Sequence, residues 1–231
     1  MCIRDSMKSM SKKQTLVAGA IALAGLGAAL PAAAEVTGNI GVASQYIFRG
    51  ISFGDPQVSG GIDYAGDSGI YAGTWISSAG GEQEVDFYAG WANDVLDLGY
   101  LYYYFPDRSL GTEDAAEVYA GLNLGMLSLY AYYAPSGFFN VEDDEYVYVS
   151  GDVTFPLTDK ASLTAHVGVN EIVGDAADAP GAESTFIDYG LTLGMGDLFI
   201  MVTATDFEQA ISDENDPTFT VGYSWSFEDI L

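Results

Sequence analysis

From residue 36 onward, apolar and polar residues alternate with a period of two. Over 36–49 one set reads Val36, Gly38, Ile40, Val42, Ser44, Tyr46, Phe48, and the other Thr37, Asn39, Gly41, Ala43, Gln45, Ile47, Arg49. A period of two belongs to the β-strand, whose successive side chains point to opposite sides. The first set is largely apolar and the second mostly polar or small, so one face meets an apolar medium and the other water. At about 3.4 Å per residue, a stretch of this length crosses a bilayer when tilted. The same beat returns along the chain and predicts strands over 36–49, 57–64, 70–77, 84–91, 96–104, 116–122, 126–133, 146–155, 161–170, 185–193, 198–205 and 218–227. Gly, Asp, Asn and Pro fall between the runs.

The connections alternate as well. Those after even-numbered strands are short: 65–69, 92–95, 123–125, 156–160 and 194–197. Those after odd-numbered strands tend to be longer: 50–56, 78–83, 105–115, 134–145, 171–184 and 206–217. A soluble sandwich has no reason to alternate in this way. A transmembrane up-and-down antiparallel β-barrel does, with short turns at one end, long loops at the other and an even strand count. The expected fold is therefore all-β, a barrel of about 12 strands.

Parity sorts the faces. On 84–91, Val85, Phe87, Ala89 and Trp91 face lipid, while Glu84, Asp86, Tyr88 and Gly90 face the lumen. On 146–155, Val147, Val149, Gly151, Val153 and Phe155 stand against Tyr146, Tyr148, Ser150, Asp152 and Thr154. On 161–170, Leu163, Ala165, Val167 and Val169 stand against Ser162, Thr164, His166, Gly168 and Asn170. Strand 70–77 reads equally well either way. Aromatic rings gather at strand ends: Tyr46, Phe48, Tyr102, Tyr104 and Tyr133 at the loop end, and Tyr64, Trp91, Phe155, Trp225 and Phe227 at the turn end. Rings with one polar edge prefer the headgroup boundary, which predicts two girdles.

The first 34 residues follow another rule. Residues 1–6 read as a non-native prefix. Over 7–34, Lys8, Lys12 and Lys13 precede a short Ala- and Leu-rich run and the small residues Ala32, Ala33 and Ala34. That is a secretory signal peptide, with 35–231 as the barrel domain. At the other end, 220–227 resembles the C-terminal targeting signature of outer-membrane proteins, although Glu228, Asp229, Ile230 and Leu231 follow it. The barrel-assembly machinery is thus an expected partner, beside outer-membrane lipid and lipopolysaccharide.

Charge narrows the function. The chain carries a formal −26. From residue 35 on, three basic residues (Arg49, Arg108, Lys160) face 32 acidic ones, a net −29. Such a surface repels nucleic acid and attracts cations. Cys2 lies in the leader, so the barrel has no thiol chemistry. Zinc-ligand spacings, EF-hand loops and phosphate loops are absent, and no cofactor is expected.

The first third of the barrel resembles the TorF family of small proteobacterial porins. The resemblance rests on Ser44-Gln45-Tyr46-Ile47-Phe48-Arg49-Gly50-Ile51-Ser52, then Gly60-Gly61-Ile62-Asp63-Tyr64, the run 68–77 and the run 84–90. It implies an outer-membrane channel and names no solute.

The candidate site is a charged lumen. Arg49, on the polar parity of 36–49, is its one clear cation. Asp63, Glu84, Asp86, Asp97, Glu117, Asp152 and Asp188 are its acids. An Arg opposite carboxylates makes a transverse field at a pore constriction, or else ties neighbouring strands together. Inward Tyr88, Tyr103, Tyr119, Tyr130, Tyr132, Tyr146 and Tyr148 either fill the barrel or stack on planar solutes. The acidic stretches Glu142-Asp143-Asp144-Glu145 and Asp213, Glu214, Asp216 read as solvated loops that attract divalent ions. His166 with Ser150 or Ser162 would be the only catalytic pairing, and no elbow motif surrounds either serine. The leading expectation is a passive, cation-favouring porin for small hydrophilic solutes, not an enzyme. The alternative is a closed structural or surface-binding barrel.

Overall fold

The computed structural model describes residues 35–54, 56–78, 83–107, 113–135, 144–174, 184–207 and 217–228. The leader and the acidic stretches 142–143 and 213–216 lie outside them.

Twelve antiparallel strands close into a barrel. They are β1 (Glu35–Ala43), β4 (Gln57–Ala65), β5 (Ile70–Ser77), β6 (Glu84–Ala92), β7 (Leu96–Tyr104), β8 (Ala115–Leu124), β9 (Leu127–Ala134), β10 (Glu145–Thr158), β11 (Ala161–Val173), β12 (Thr185–Met195), β13 (Leu198–Thr205) and β14 (Thr218–Phe227). Each pairs with its neighbours in sequence. Closure comes from β1, which pairs with β4 on one side and with β14 on the other, Ile40 opposite both Gly60 and Trp225. Closure leaves no unpaired edge, the condition for a sheet to sit in hydrocarbon. No helix among the described residues is long and apolar enough to cross a membrane.

The alternation has the expected consequence. Exposed large apolar residues line the outside: Val42, Ile62, Phe87, Val118, Val149, Val167, Leu191 and Val221 among them. Inward residues are polar, charged or tyrosine. On β5, Ile70, Ala72 and Ile76 point out, while Tyr71, Gly73, Trp75 and Ser77 point in. Tight turns occupy 66–69, 93–95, 125–126, 159–160 and 196–197, all at the end that holds β1's start. Gly69, Gly125 and Gly196 take positive φ there, a conformation only glycine adopts without steric cost.

One expectation fails, and the failure is informative. The first strand does not run to residue 49. β1 stops at Ala43, and the chain turns into the barrel. Residues 46–53 form a small hairpin, β2 (Ile47–Phe48) and β3 (Ile51–Ser52), tied at its base by the Phe53 amide donating to the Tyr46 carbonyl at 2.9 Å. Arg49 and Gly50 turn it, at φ +47° and +82°. Two central residues at positive φ are the I′ geometry, whose twist suits a two-residue hairpin. Tyr46 and Phe48 are consequently buried in the lumen and are not members of the outer girdle. The period of two cannot separate these cases, because a strand facing lipid and a hairpin facing a tyrosine-lined lumen write the same letters. Tyr104 and Tyr133 do remain on the outside at the loop end, as do Tyr64, Trp91, Phe155, Trp225 and Phe227 at the turn end.

Candidate functional site: a hairpin seated in a charged lumen

The lumen is furnished in two tiers. The tier nearer the loop end is organised by the hairpin. The Arg49 guanidinium reaches across to Glu117 on β8 and donates from both terminal nitrogens, 2.8 Å to each carboxylate oxygen. This fork-to-fork pairing is the strong, directional form of the ion pair. The Tyr103 hydroxyl donates to the same carboxylate at 2.8 Å. Four rings enclose the guanidinium: Phe48, Tyr132, Tyr146 and Tyr148, their centroids 4.4–5.1 Å from its carbon. Ring faces are attractive to a desolvated cation. Phe48 meets Tyr103 edge to face at 6.0 Å, and Tyr46 packs beside Trp75 and Phe53. On the far side Ile47 joins Phe199 and Met201 of β13. Gly50 lies against Asp188 so closely that a Cβ there would collide with it. The hairpin therefore touches walls all round the lumen.

His166 on β11 has a carboxylate at each ring nitrogen, Asp152 at Nδ1 and Asp188 at Nε2, both at 2.8 Å. Two acceptors on one ring are satisfied by N–H groups on both nitrogens, which is the imidazolium. Asp188 also accepts from Asn170 at 3.0 Å and Tyr148 at 3.3 Å. Between this group and the hairpin tip a cavity of about 60 Å³ remains, lined by Phe48, Arg49, Tyr148, Asp152, His166 and Asp188 among others. That is room for water.

The second tier lies toward the turn end. Asp97 accepts from Tyr71 at 2.6 Å and Tyr130 at 3.3 Å, and the Tyr71 and Tyr119 hydroxyls meet. Asp63 accepts from Asn39 at 3.0 Å and from Tyr88. All seven inward tyrosines named from the sequence are buried here or in the first tier.

The structure thus brings Arg49 and Glu117 together, and Asp152 with Asp188 through His166. It sets Asp63 and Asp97 apart from both groups, each with its own donors. Glu84 and Asp86 lie beside the hairpin on β6, nearly without exposure. Sequence reasoning placed His166 on the lumen side but gave it no part in the charged site. The signal was its parity, shared with Asp152 on the adjacent strand. Neither Ser150 nor Ser162 hydrogen-bonds to His166, whose partners are Asp152, Asp188 and Tyr148.

A closed twelve-stranded antiparallel barrel, apolar outside and charged within, defines the class of fold: a β-barrel of the porin type. Solved porins share the fold at low sequence identity. The NanC porin superposes with a TM-score of 0.53 at 10% identity, over 84% of this chain and 100% of that one. The KdgM porin, in complex with disordered oligogalacturonate, superposes with a TM-score of 0.50 at 9% identity, over 84% of this chain and 99% of that one. No curated protein matches the chain in sequence. The chain belongs to the family described as "Bacterial protein of unknown function (Gcw_chp)", whose profile matches residues 28–224.

Proposed function

We propose that this protein is an outer-membrane diffusion channel for small hydrophilic solutes that favours cations, in keeping with the resemblance of its first third to TorF-family porins. The observation that carries the reading is the sign of the interior. Among the described residues seven carboxylates point inward, Asp63, Glu84, Asp86, Asp97, Glu117, Asp152 and Asp188, against one guanidinium and one imidazolium. A lumen of that sign lowers the energy of a passing cation and raises that of an anion. It is a poor match for a polyanion such as the oligogalacturonate held by the KdgM porin.

In this reading Arg49 and Glu117 set the constriction. Solutes pass between the hairpin tip and the wall of Asp152, His166 and Asp188. The protein performs no reaction. Signal-peptide export and outer-membrane insertion through the last strand belong to the same proposal. Planar-bilayer recording under a salt gradient tests it: the reversal potential should take the sign of cation selectivity. An anion-selective potential would reject the cation preference.

A second reading has its own observation. The hairpin and seven buried tyrosines pack together inside the barrel, which fits a closed barrel acting through its loops. Silent bilayers, both with the intact chain and with 47–52 replaced by a short glycine linker, would favour it.

A further inference from the structure

Beneath the hairpin three carboxylates meet one cation. Glu117 has the Arg49 fork. Glu84 and Asp86 stand two residues apart on the inward face of β6, 3% and 1% exposed. No donor among the described residues reaches either oxygen of Asp86. Its neighbour is Glu84, another acceptor, and the next charge it meets is Glu117. From the hairpin the Tyr46 hydroxyl approaches Glu84. A carboxylate shut from water is costly unless it is hydrogen-bonded, paired or bound to a metal ion. Two of them in contact need a metal ion or a shared proton between them.

We propose that Glu84 and Asp86 bind a hard divalent cation, Ca²⁺ or Mg²⁺, between β6 and the hairpin. Charge supports a divalent ion: Glu117 is already paired with Arg49, and Glu84 and Asp86, when both are ionised, carry two negative charges that no side chain among the described residues offsets. Ligand chemistry supports a hard one, since the side chains at hand, two carboxylates and the Tyr46 hydroxyl, offer oxygen. Ca²⁺ and Mg²⁺ sit about 2.0–2.6 Å from their oxygens, so an ion held by both carboxylates would move them apart to make room for its other ligands. No third His, Cys, Asp or Glu among the described residues completes a metal cluster. The remaining positions go to the Tyr46 hydroxyl, main-chain carbonyls and water, the pattern of cation sites built on one or two carboxylates. Because Tyr46 belongs to the hairpin and Glu84 to the wall, the ion would pin one to the other and make the seating of the hairpin depend on divalent ions. The proposal rests on the channel reading only in that the ion arrives along the lumen.

The test uses the full chain folded in detergent, with folding verified by heat-dependent gel mobility, and Tb³⁺ as the probe. Tyr46 is the expected energy donor for sensitised emission. The intact protein should give a saturable emission component that Ca²⁺ displaces. Asp86→Asn should weaken that component at least tenfold, Glu84→Gln with Asp86→Asn should abolish it, and Tyr46→Phe should dim it. Identical titrations for the intact protein and the folded double variant would overturn the site. So would an infrared band of a protonated carboxylic acid that survives saturating Ca²⁺ and vanishes in Asp86→Asn, because a shared proton would then do the ion's work. A barrel that binds Tb³⁺ as expected but stays silent in bilayers keeps the site and removes the channel. A conducting barrel whose titration ignores the substitutions does the reverse.

Discussion

Arg49 holds a backbone conformation that side chains with a Cβ seldom adopt, φ +47° at a hairpin tip. Such a residue costs of order 1 kcal/mol or more and persists where its surroundings over-determine it. Here they do, through Glu117, Tyr103 and four rings. Glu117→Ala leaves a buried guanidinium unpaired, which destabilises the seated hairpin by about 3–5 kcal/mol. Limited proteolysis should then cut within 44–54 of the folded barrel, and an unchanged cutting rate would mean that the pair does not hold the hairpin. Arg49→Lys should act in the same direction, more weakly, because an ammonium cannot make the paired donor fork or lie flat among the rings. At this scale the sequence was partly legible. Arg49, as a lone cation among acids, was recognisable as a site residue, and its partner was not. Asp63, Glu84, Asp86 and Asp97 all lie nearer to Arg49 in sequence than Glu117 does, and only the inward turn of the hairpin selects it.

The strands carry a regularity that alternation alone does not reveal. On adjacent strands an inward glycine stands directly opposite an inward ring: Gly73 with Tyr88, Gly90 with Tyr71, Gly99 with Tyr119, Gly121 with Tyr130, and Gly222 with Phe199. In each pair the ring lies where a Cβ on the glycine would be. Rings folded over cross-strand glycines repair the packing that a missing side chain leaves open and hold the register. Gly99→Val removes that seat for Tyr119 and should cost about 1–3 kcal/mol, read as a lower temperature for the gel-mobility shift. Ala120→Val, on the outward face of β8, should leave that temperature nearly unchanged. Equal shifts for the two would show that the glycine seat contributes nothing. Apart from the end of the first strand, the positions of the strands were legible because each element repeats its pattern for seven or more residues. The pairing was not, since it needs the register between strands.

For the whole molecule, the sidedness of the wall decides behaviour. Val149 is 48% exposed on the outside, while its neighbour Tyr148 is buried within. Val149→Arg should destabilise the membrane-inserted barrel by about 2–4 kcal/mol if the residue lies near the bilayer midplane, measurable by urea titration in lipid. A negligible change there would argue against lipid on that face. Asp152→Asn together with Asp188→Asn should reduce cation selectivity in the bilayer assay. In the intact protein selectivity should shrink as salt rises from 0.1 to 1 M, because the screening length falls from about 10 to about 3 Å. Selectivity indifferent to both would mean that the charges lining the cavity do not set it.

The sequence by itself determined the class. Alternating side chains, an even number of strands and loops that are short at one end follow from local rules, and local rules survive in any fold that obeys them. It also determined the sign of the interior, since parity assigns each carboxylate a face. Only the tertiary structure decided where the first strand ends, which acid meets Arg49, that His166 bridges two aspartates, and that no donor among the described residues reaches Asp86. Those facts depend on closure, which brings β8 across from a hairpin 68 residues earlier, and no pattern confined to one strand contains it.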